Sequence, residues 1–271
     1  MPPTNSPSPV RELLTFNAAW RFHREKVSAS AAAAIAVENR NPSAIANRFE
    51  DPAGPTAAAF DDTAWRELDL PHDWGVDGAF DPDLPGRTGR LPWAGIGWYR
   101  KTFRLPATGI ASPRVELEFE GAMSHTEVWC NGHRVGHWVY GYTTFRVDLT
   151  THLHPDGDNV VAVRLANPPD SSRWYPGAGL YRPVWLHLTH PTRIAPWGVF
   201  VSTPEITDDE ALVRVDTIVE SSQATAAPCV LTTRIHLADE EGEPAGPAVA
   251  TADACEISPG PIHGQQVLRS Q

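Results

Sequence analysis

At 271 residues the chain has room for one large domain or two ordinary ones. With 41% hydrophobic and 20% charged residues it can bury a core, which excludes wholesale disorder. Thirty-three acidic residues against 22 Lys and Arg leave a formal charge of −11, which argues against nucleic acid and anionic membranes as partners, since Lys and Arg carry both kinds of binding. In chain order, residues 1–13 read as a disordered leader. Met1 to Pro7 has no basic stretch followed by an apolar core, so no signal peptide is visible. A first ordered stretch follows at residues 16–22. Residues 28–59 are a low-complexity insertion, with room for one short helix over 31–37 around the Ala31 to Ala34 run.

From Phe60 the pattern is strand and turn. The 26 prolines and 20 glycines disfavour long helices. Residues 115–120 alternate strictly, with Val115, Leu117 and Phe119 on one face and Glu116, Glu118 and Glu120 on the other, as in a half-buried strand. Residues 127–135 read as a hairpin, because Asn131-Gly132 supplies the two positive-φ positions of a type I′ turn. Further strands are expected over 99–105, 145–149, 160–165 and 184–188. A boundary falls near His190 to Arg193. Beyond it, 211–219 and 229–237 alternate again, separated by a polar turn at 220–223. The sequence is therefore all-β: a sandwich over 14–192 and a smaller sandwich over 193–271 that is shorter than the ~100 residues of an immunoglobulin-like domain. Amphipathic helices able to cover a parallel sheet are missing.

Three sparse cysteines, Cys130, Cys229 and Cys255, form no CxxC pair and fit a reducing, cytoplasmic setting. No apolar run approaches the ~20 residues of a membrane-spanning helix. His133 and His137 have an HxxxH spacing, but on a hairpin strand rather than a helix they lie some 13 Å apart and read as ordinary surface positions. The glutamate row at 116, 118 and 120 reads as a solvated face rather than a catalytic pair. His72 and Asp73 read as a buried, hydrogen-bonded turn beside Trp74, and Trp98, Trp129 and Trp185 as core. Residues 167–182 differ. Asp170, Arg173 and Trp174 stand among prolines and glycines in a long irregular segment between two strands. A carboxylate and a guanidinium can bond vicinal hydroxyls, and an indole can stack on the C–H face of a sugar ring. The competing reading is a loop that packs on another domain.

At this point the sequence resembles glycoside hydrolase family 2, in particular its β-galactosidase branch. The resemblance runs through Trp20-Arg21-Phe22-His23, Phe60-Asp61-Asp62-Thr63-Ala64-Trp65-Arg66, Leu70-Pro71-His72-Asp73-Trp74 and Gly97-Trp98-Tyr99-Arg100-Lys101-Thr102-Phe103. It continues through Asn131-Gly132-His133-Arg134-Val135-Gly136, Gly141-Tyr142-Thr143-Thr144-Phe145 and Asp148-Leu149-Thr150. Arg173-Trp174-Tyr175-Pro176-Gly177 and Tyr181-Arg182-Pro183-Val184-Trp185-Leu186 complete it, in family order over residues 14–190.

The resemblance implies a jelly-roll, galactose-binding-like domain, a partial immunoglobulin-like sandwich, and a TIM barrel in whole enzymes. The barrel would hold the two glutamates of a retaining mechanism. The family's acid/base glutamate follows an asparagine, and no Asn-Glu dipeptide occurs here. No catalytic residue is therefore expected in this chain, which reads as the front part of an enzyme, a gene fragment or a split subunit. Asp170 matches a sugar-binding aspartate, with a sodium ion nearby in some members, and Arg173 and Trp174 are its neighbours. The family's other contact in this domain, an asparagine ahead of Trp98, has no counterpart in Trp93-Ala94-Gly95-Ile96-Gly97. A β-galactoside is the implied ligand and the barrel the implied partner, and the resemblance leaves room for a homo-oligomer. The alternatives are a self-standing carbohydrate-binding module, a structural interaction domain, or the front part of a β-glucuronidase or β-mannosidase.

Overall fold

The computed structural model describes residues 11–25, 53–223, 229–252, 255–257 and 265–270. The helix expected over 31–37 lies outside them. Contacts divide the chain into two units, Met1–Leu188 and Thr189–Gln271.

The first unit is a two-layered sandwich. Its strands are β1 (Arg11–Thr15), β2 (Trp20–Arg24), β3 (Arg66–Leu68), β4 (Gly95–Phe103), β5 (Arg114–Phe119), β6 (Thr126–Cys130), β7 (His133–Trp138), β8 (Phe145–Asp148), β9 (Asn159–Asn167) and β10 (Val184–Thr189). One sheet runs β1-β10-β5-β8 and the other β3-β2-β4-β9-β6-β7. Alternation places the packing. Val115, Leu117 and Phe119 of β5 and Val184, Leu186 and Leu188 of β10 meet Tyr99 of β4, Val128 of β6 and Val161, Val163 and Leu165 of β9 in one core. Each such side chain, fully buried, contributes roughly 1.5–3 kcal/mol of transfer free energy. The opposite face of β4, β6 and β9 carries a second cluster, in which Trp98 and Trp129 pack at 5.7 Å with Ile96, Ala162 and Ala166.

Asn131 (φ 49°) and Gly132 (φ 86°) make the expected tight turn between β6 and β7. The ladder shifts by a bulge between Val128 and Trp129. Trp185 is half-buried rather than core, its indole N–H donating to Glu120 Oε1 at 2.7 Å.

Other expectations are corrected. Arg11 to Leu13 are not leader but β1, at the edge of the four-stranded sheet beside β10. The glutamate row is not solvated. Glu116 is buried and pairs with Arg114 at 3.1 Å, Glu118 with Arg146 at 2.5 Å, and Glu120 takes the Trp185 N–H. Arg114 comes from β5 itself, Arg146 from β8 and Trp185 from β10, so the face is a paired layer. The insertion's tail, residues 53–59, is a series of turns over the six-stranded sheet. There Arg100, 1% exposed, donates to Asp62 Oδ2 (2.8 Å), Ala57 O (3.1 Å) and Pro55 O. A guanidinium this deep needs those acceptors, and they order the segment.

The second unit contains β11 (Thr192–Ile206), β12 (Ala211–Ser221), β13 (Cys229–Leu231), β14 (Arg234–Ala238), β15 (Pro244–Thr251), β16 (Cys255–Ile257) and β17 (Gln265–Ser270). β11, β12 and β17 form an antiparallel sheet, β13 pairs with β16, and β14 with β15. The strand expected over 229–237 is split, because it changes partner from β16 to β15. β12 runs through the expected turn at 220–221, where Arg193 Nε donates to Glu220 Oε1 at 2.7 Å across the ladder.

Candidate functional site

β9 delivers the chain to the irregular segment at Asn167, and β10 receives it at Val184. Between them the backbone is pinned at several places. Asn167 is 1% exposed, and its Nδ2 donates to Gly177 O (2.9 Å) and Trp93 O (3.4 Å). The Tyr175 hydroxyl donates to Asp73 Oδ1 at 2.6 Å. The same carboxylate oxygen also accepts the Gly75 amide at 2.9 Å, which makes the 72–77 turn. The His72 amide donates to Leu180 O (2.8 Å), and the Met123 and Gly179 backbones exchange hydrogen bonds at 3.0 and 3.1 Å. Gly179 has φ +102°, and a Cβ there would sit 2.3 Å from the Tyr99 hydroxyl, so glycine alone suits the position.

Beneath these anchors runs a polar chain, buried at His72 and Tyr99 and open to solvent at Asp77. His72 Nε2 meets Asp77 Oδ2 at 2.9 Å and His72 Nδ1 meets the Tyr99 hydroxyl at 2.7 Å. With Asp77 ionised, Nε2 is the donor and Nδ1 accepts from Tyr99. Burial lowers the His72 pKa, against the pull of Asp77, so the ring is held neutral. Burial likewise pushes the Tyr99 phenol well up. His72 and Asp73 thus serve the scaffold of the segment.

The pinned residues leave 169–174 projecting. Asp170 stands in the left-handed region (φ 58°), which Asp tolerates better than most residues. Its side chain is 79% exposed and pairs with Arg87 Nη2 at 3.1 Å. Arg87 sits on a 3-10 turn, Gly86–Thr88. This pair divides two hollows. On one side is a 370 Å³ cleft lined by Arg24, Asp81, Leu84, Trp93 and Asp170 among others. On the other is a more open 510 Å³ depression lined by Arg87, Asp170, Ser171, Ser172, Arg173 and Trp174. Trp174 is 60% exposed, and its indole N–H donates to the Tyr142 hydroxyl at 3.0 Å.

The three residues singled out from the sequence therefore face one depression. A carboxylate, two guanidiniums, two serines and an indole edge are a polar-plus-aromatic set able to bond hydroxyls and cover a ring face. An exposed Arg–Asp pair is worth ~1 kcal/mol or less, so vicinal hydroxyls can displace Arg87 from Asp170 at small cost. No motif or pattern in the sequence marks Arg87 or Arg24. They lie 83 and 146 positions from Asp170, and only the fold brings them beside it. Arg24 Nη2 donates to Ala94 O (2.9 Å), and burial lowers its pKa. The HxxxH histidines are spread along β7. His133 stacks on His152 at 4.7 Å. Asp170 is the carboxylate in the lining of this depression, paired with Arg87, and among the described residues no group of three or more His, Cys, Asp or Glu gathers to hold a metal.

Comparison with known proteins places this geometry. The sequence model of the sugar binding domain of glycosyl hydrolases family 2 matches residues 88–191, which include the whole segment. The chain is 37% identical over 218 residues to the beta-galactosidase BoGH2A of Bacteroides ovatus, covering 79% of this chain and 22% of that one. It is 28% identical over 199 residues to a beta-glucuronidase of Formosa agariphila, covering 65% and 20%. A solved family 2 member from Bacteroides cellulosilyticus superposes with a TM-score of 0.70 at 27% identity, over 95% of this chain and 30% of that one. The chain spans about a fifth of the length of these curated relatives.

Proposed function

Because the chain belongs to glycoside hydrolase family 2 and carries its sugar-binding domain, we propose that it is the substrate-recognising front part of a retaining enzyme that hydrolyses terminal β-galactosides. Asp170 accepts hydrogen bonds from neighbouring hydroxyls of the terminal sugar. Arg173 donates to the same ring, and Trp174 covers its C–H face. The pair of carboxylates that breaks the bond belongs to a TIM barrel outside these 271 residues, the partner of this domain in the whole enzyme. The observation that carries the reading is the convergence of Asp170, Arg173 and Trp174 on one open depression within the matched sugar-binding domain.

In the assembled enzyme, Asp170→Ala lowers kcat/KM for an aryl β-galactoside by about tenfold or more, since a charge-assisted contact to the reacting sugar is lost. Unchanged kinetics refute the assignment. Hydrolysis by the 271-residue chain alone refutes the division of labour. A second reading, a β-glucuronide in the same depression, is favoured by the guanidiniums of Arg87 and Arg173 in its lining. Faster turnover of the aryl glucuronide than of the galactoside by the assembled enzyme selects it.

A further inference from the structure

The stretch Ala178 to Leu180 is held from two sides. The Gly179 amide donates to Met123 O at 3.1 Å, Leu180 O accepts the His72 amide at 2.8 Å, and Ala178 O accepts that of Trp74 at 3.2 Å. The Tyr99 hydroxyl occupies the space that a side chain at Gly179 would need, and the Leu180 backbone hydrogen-bonds the same phenol oxygen. Tyr99, 0% exposed, thus supports the stretch from the core, and His72 supports it from the 72–77 turn.

The fit between these two supports depends on one proton. The neutral ring gives its Nε2–H to Asp77 and offers at Nδ1 the lone pair that takes the Tyr99 hydroxyl. A proton on Nδ1 turns that acceptor into a second donor. The phenol hydrogen then loses the one acceptor it has among the described residues, in a pocket where Phe22 packs on both rings at 4.5 and 4.8 Å. The charged groups around the imidazole are Asp77, its partner Arg66 (2.6 Å), and Asp73 next to it in the turn; β2 contributes only Phe22, β4 the Tyr99 phenol, and the segment the Leu180 backbone. Asp77 is 41% exposed and shared with Arg66, so solvent and the guanidinium both weaken its hold on a protonated ring.

We propose that His72 is a proton-operated latch: neutral, it locks Tyr99 and the 178–180 backbone together, and a proton on Nδ1 releases the 167–183 segment while the sandwich stays folded. The presentation of Asp170, Arg173 and Trp174, which project from that segment, becomes dependent on pH whichever ligand they meet. The released ring takes up a proton at the ordinary imidazole value of about 6.5, whereas burial lowers the pKa of the latched one. Each pH unit below about 6.5 therefore multiplies the opening constant by at most about tenfold.

The test is amide exchange of the 271-residue chain at pH 7 and pH 5, converted to opening constants. The amides of His72, Trp74 and Gly179 report the latch, and the far end of the β4–β9 ladder, where Lys101 to Phe103 pair with Val161 to Asn159, serves for contrast. Opening at the three latch amides should rise by about tenfold at pH 5, with no matching rise in the ladder. Tyr99→Phe keeps every charge but removes the conflict. It should raise latch opening at pH 7, bring the His72 ring titration seen by NMR up toward 6.5, and flatten the response to pH. His72→Gln, which takes no proton, should flatten it as well. Thermal melting confirms the fold of each variant, and if His72→Gln is unfolded, the ring titration of Tyr99→Phe decides. Latch amides that open equally at the two pH values, a rise shared by the ladder, or a Tyr99→Phe variant that titrates and exchanges as wild type overturns the latch.

Discussion

Replacing Asn167 with alanine tests how the 167–183 segment is held. Its Nδ2 makes the short bond to Gly177 O (2.9 Å) and the longer one to Trp93 O (3.4 Å), while its Oδ1 accepts from Ser124 Oγ at 3.3 Å. Only the Gly177 bond has near-ideal length. Its loss leaves a buried carbonyl without a donor, and that desolvation with the small void costs about 2–3 kcal/mol. In a unit of this size each kcal/mol moves Tm by about 2–4 °C, so Asn167→Ala should lower it by about 4–12 °C. Asn167→Asp should cost more, since it sets an oxygen against the Gly177 oxygen and buries a charge. Hydrogen exchange supplies the local readout. The amides of His72 and Trp74 donate to Leu180 O and Ala178 O, just past Gly177. They should exchange faster in Asn167→Ala, while the β5–β8 ladder keeps its protection. A Tm shift under about 1 °C, or an aspartate variant as stable as wild type, refutes the anchoring role.

Gly179→Ala should destabilise the first unit by about 3 kcal/mol or more in urea unfolding, since its φ is +102° and the added Cβ meets both Tyr99 Oη and His72 O (2.3 and 2.8 Å). Asp62→Ala should cost about 3 kcal/mol in the same assay, because Arg100 keeps its charge and loses its carboxylate. Acid should weaken the first unit. His72, His125 and His137 have pKa values lowered chiefly by burial, with His137 and Arg164 adding to the effect on His125. The unfolded chain therefore takes up their protons first, and stability present above about pH 6.5 is lost progressively as pH falls below it. A Tm flat between neutral pH and pH 5 contradicts this. Burial pushes the Cys130 thiol up to about 12, so mass mapping should find Cys130 unmodified by thiol reagents in the native chain and modified once it unfolds.

The strands of the first unit were legible because period-two alternation marks which side chains enter a shared core, and Asn131-Gly132 dictates a turn from its own backbone preferences. What alternation does not carry is the identity of partners on neighbouring strands. Glu116, Glu118 and Glu120 look solvated when read alone; Arg114 stands two places before Glu116 on the same strand, but only the fold brings Arg146 to Glu118 and Trp185 to Glu120. The same limit hid the cationic half of the depression. Asp170, Arg173 and Trp174 are close in sequence and were found together, whereas Arg87 arrives from a distant 3-10 turn. The described end of the insertion is built of turns, as its loop composition suggests, but composition records nothing about the carbonyl acceptors it offers the buried Arg100.

The attachment of the 167–183 segment has an evolutionary corollary. Its fasteners are Asn167, Tyr175 and backbone groups from Gly177 to Leu180, whereas the residues that meet the outside are Asp170 to Trp174. Mutations in that outward stretch escape the purge that instability imposes, so its surface chemistry can drift while the architecture persists. A single scaffold shared by galactosidases and glucuronidases is what such a separation of duties allows.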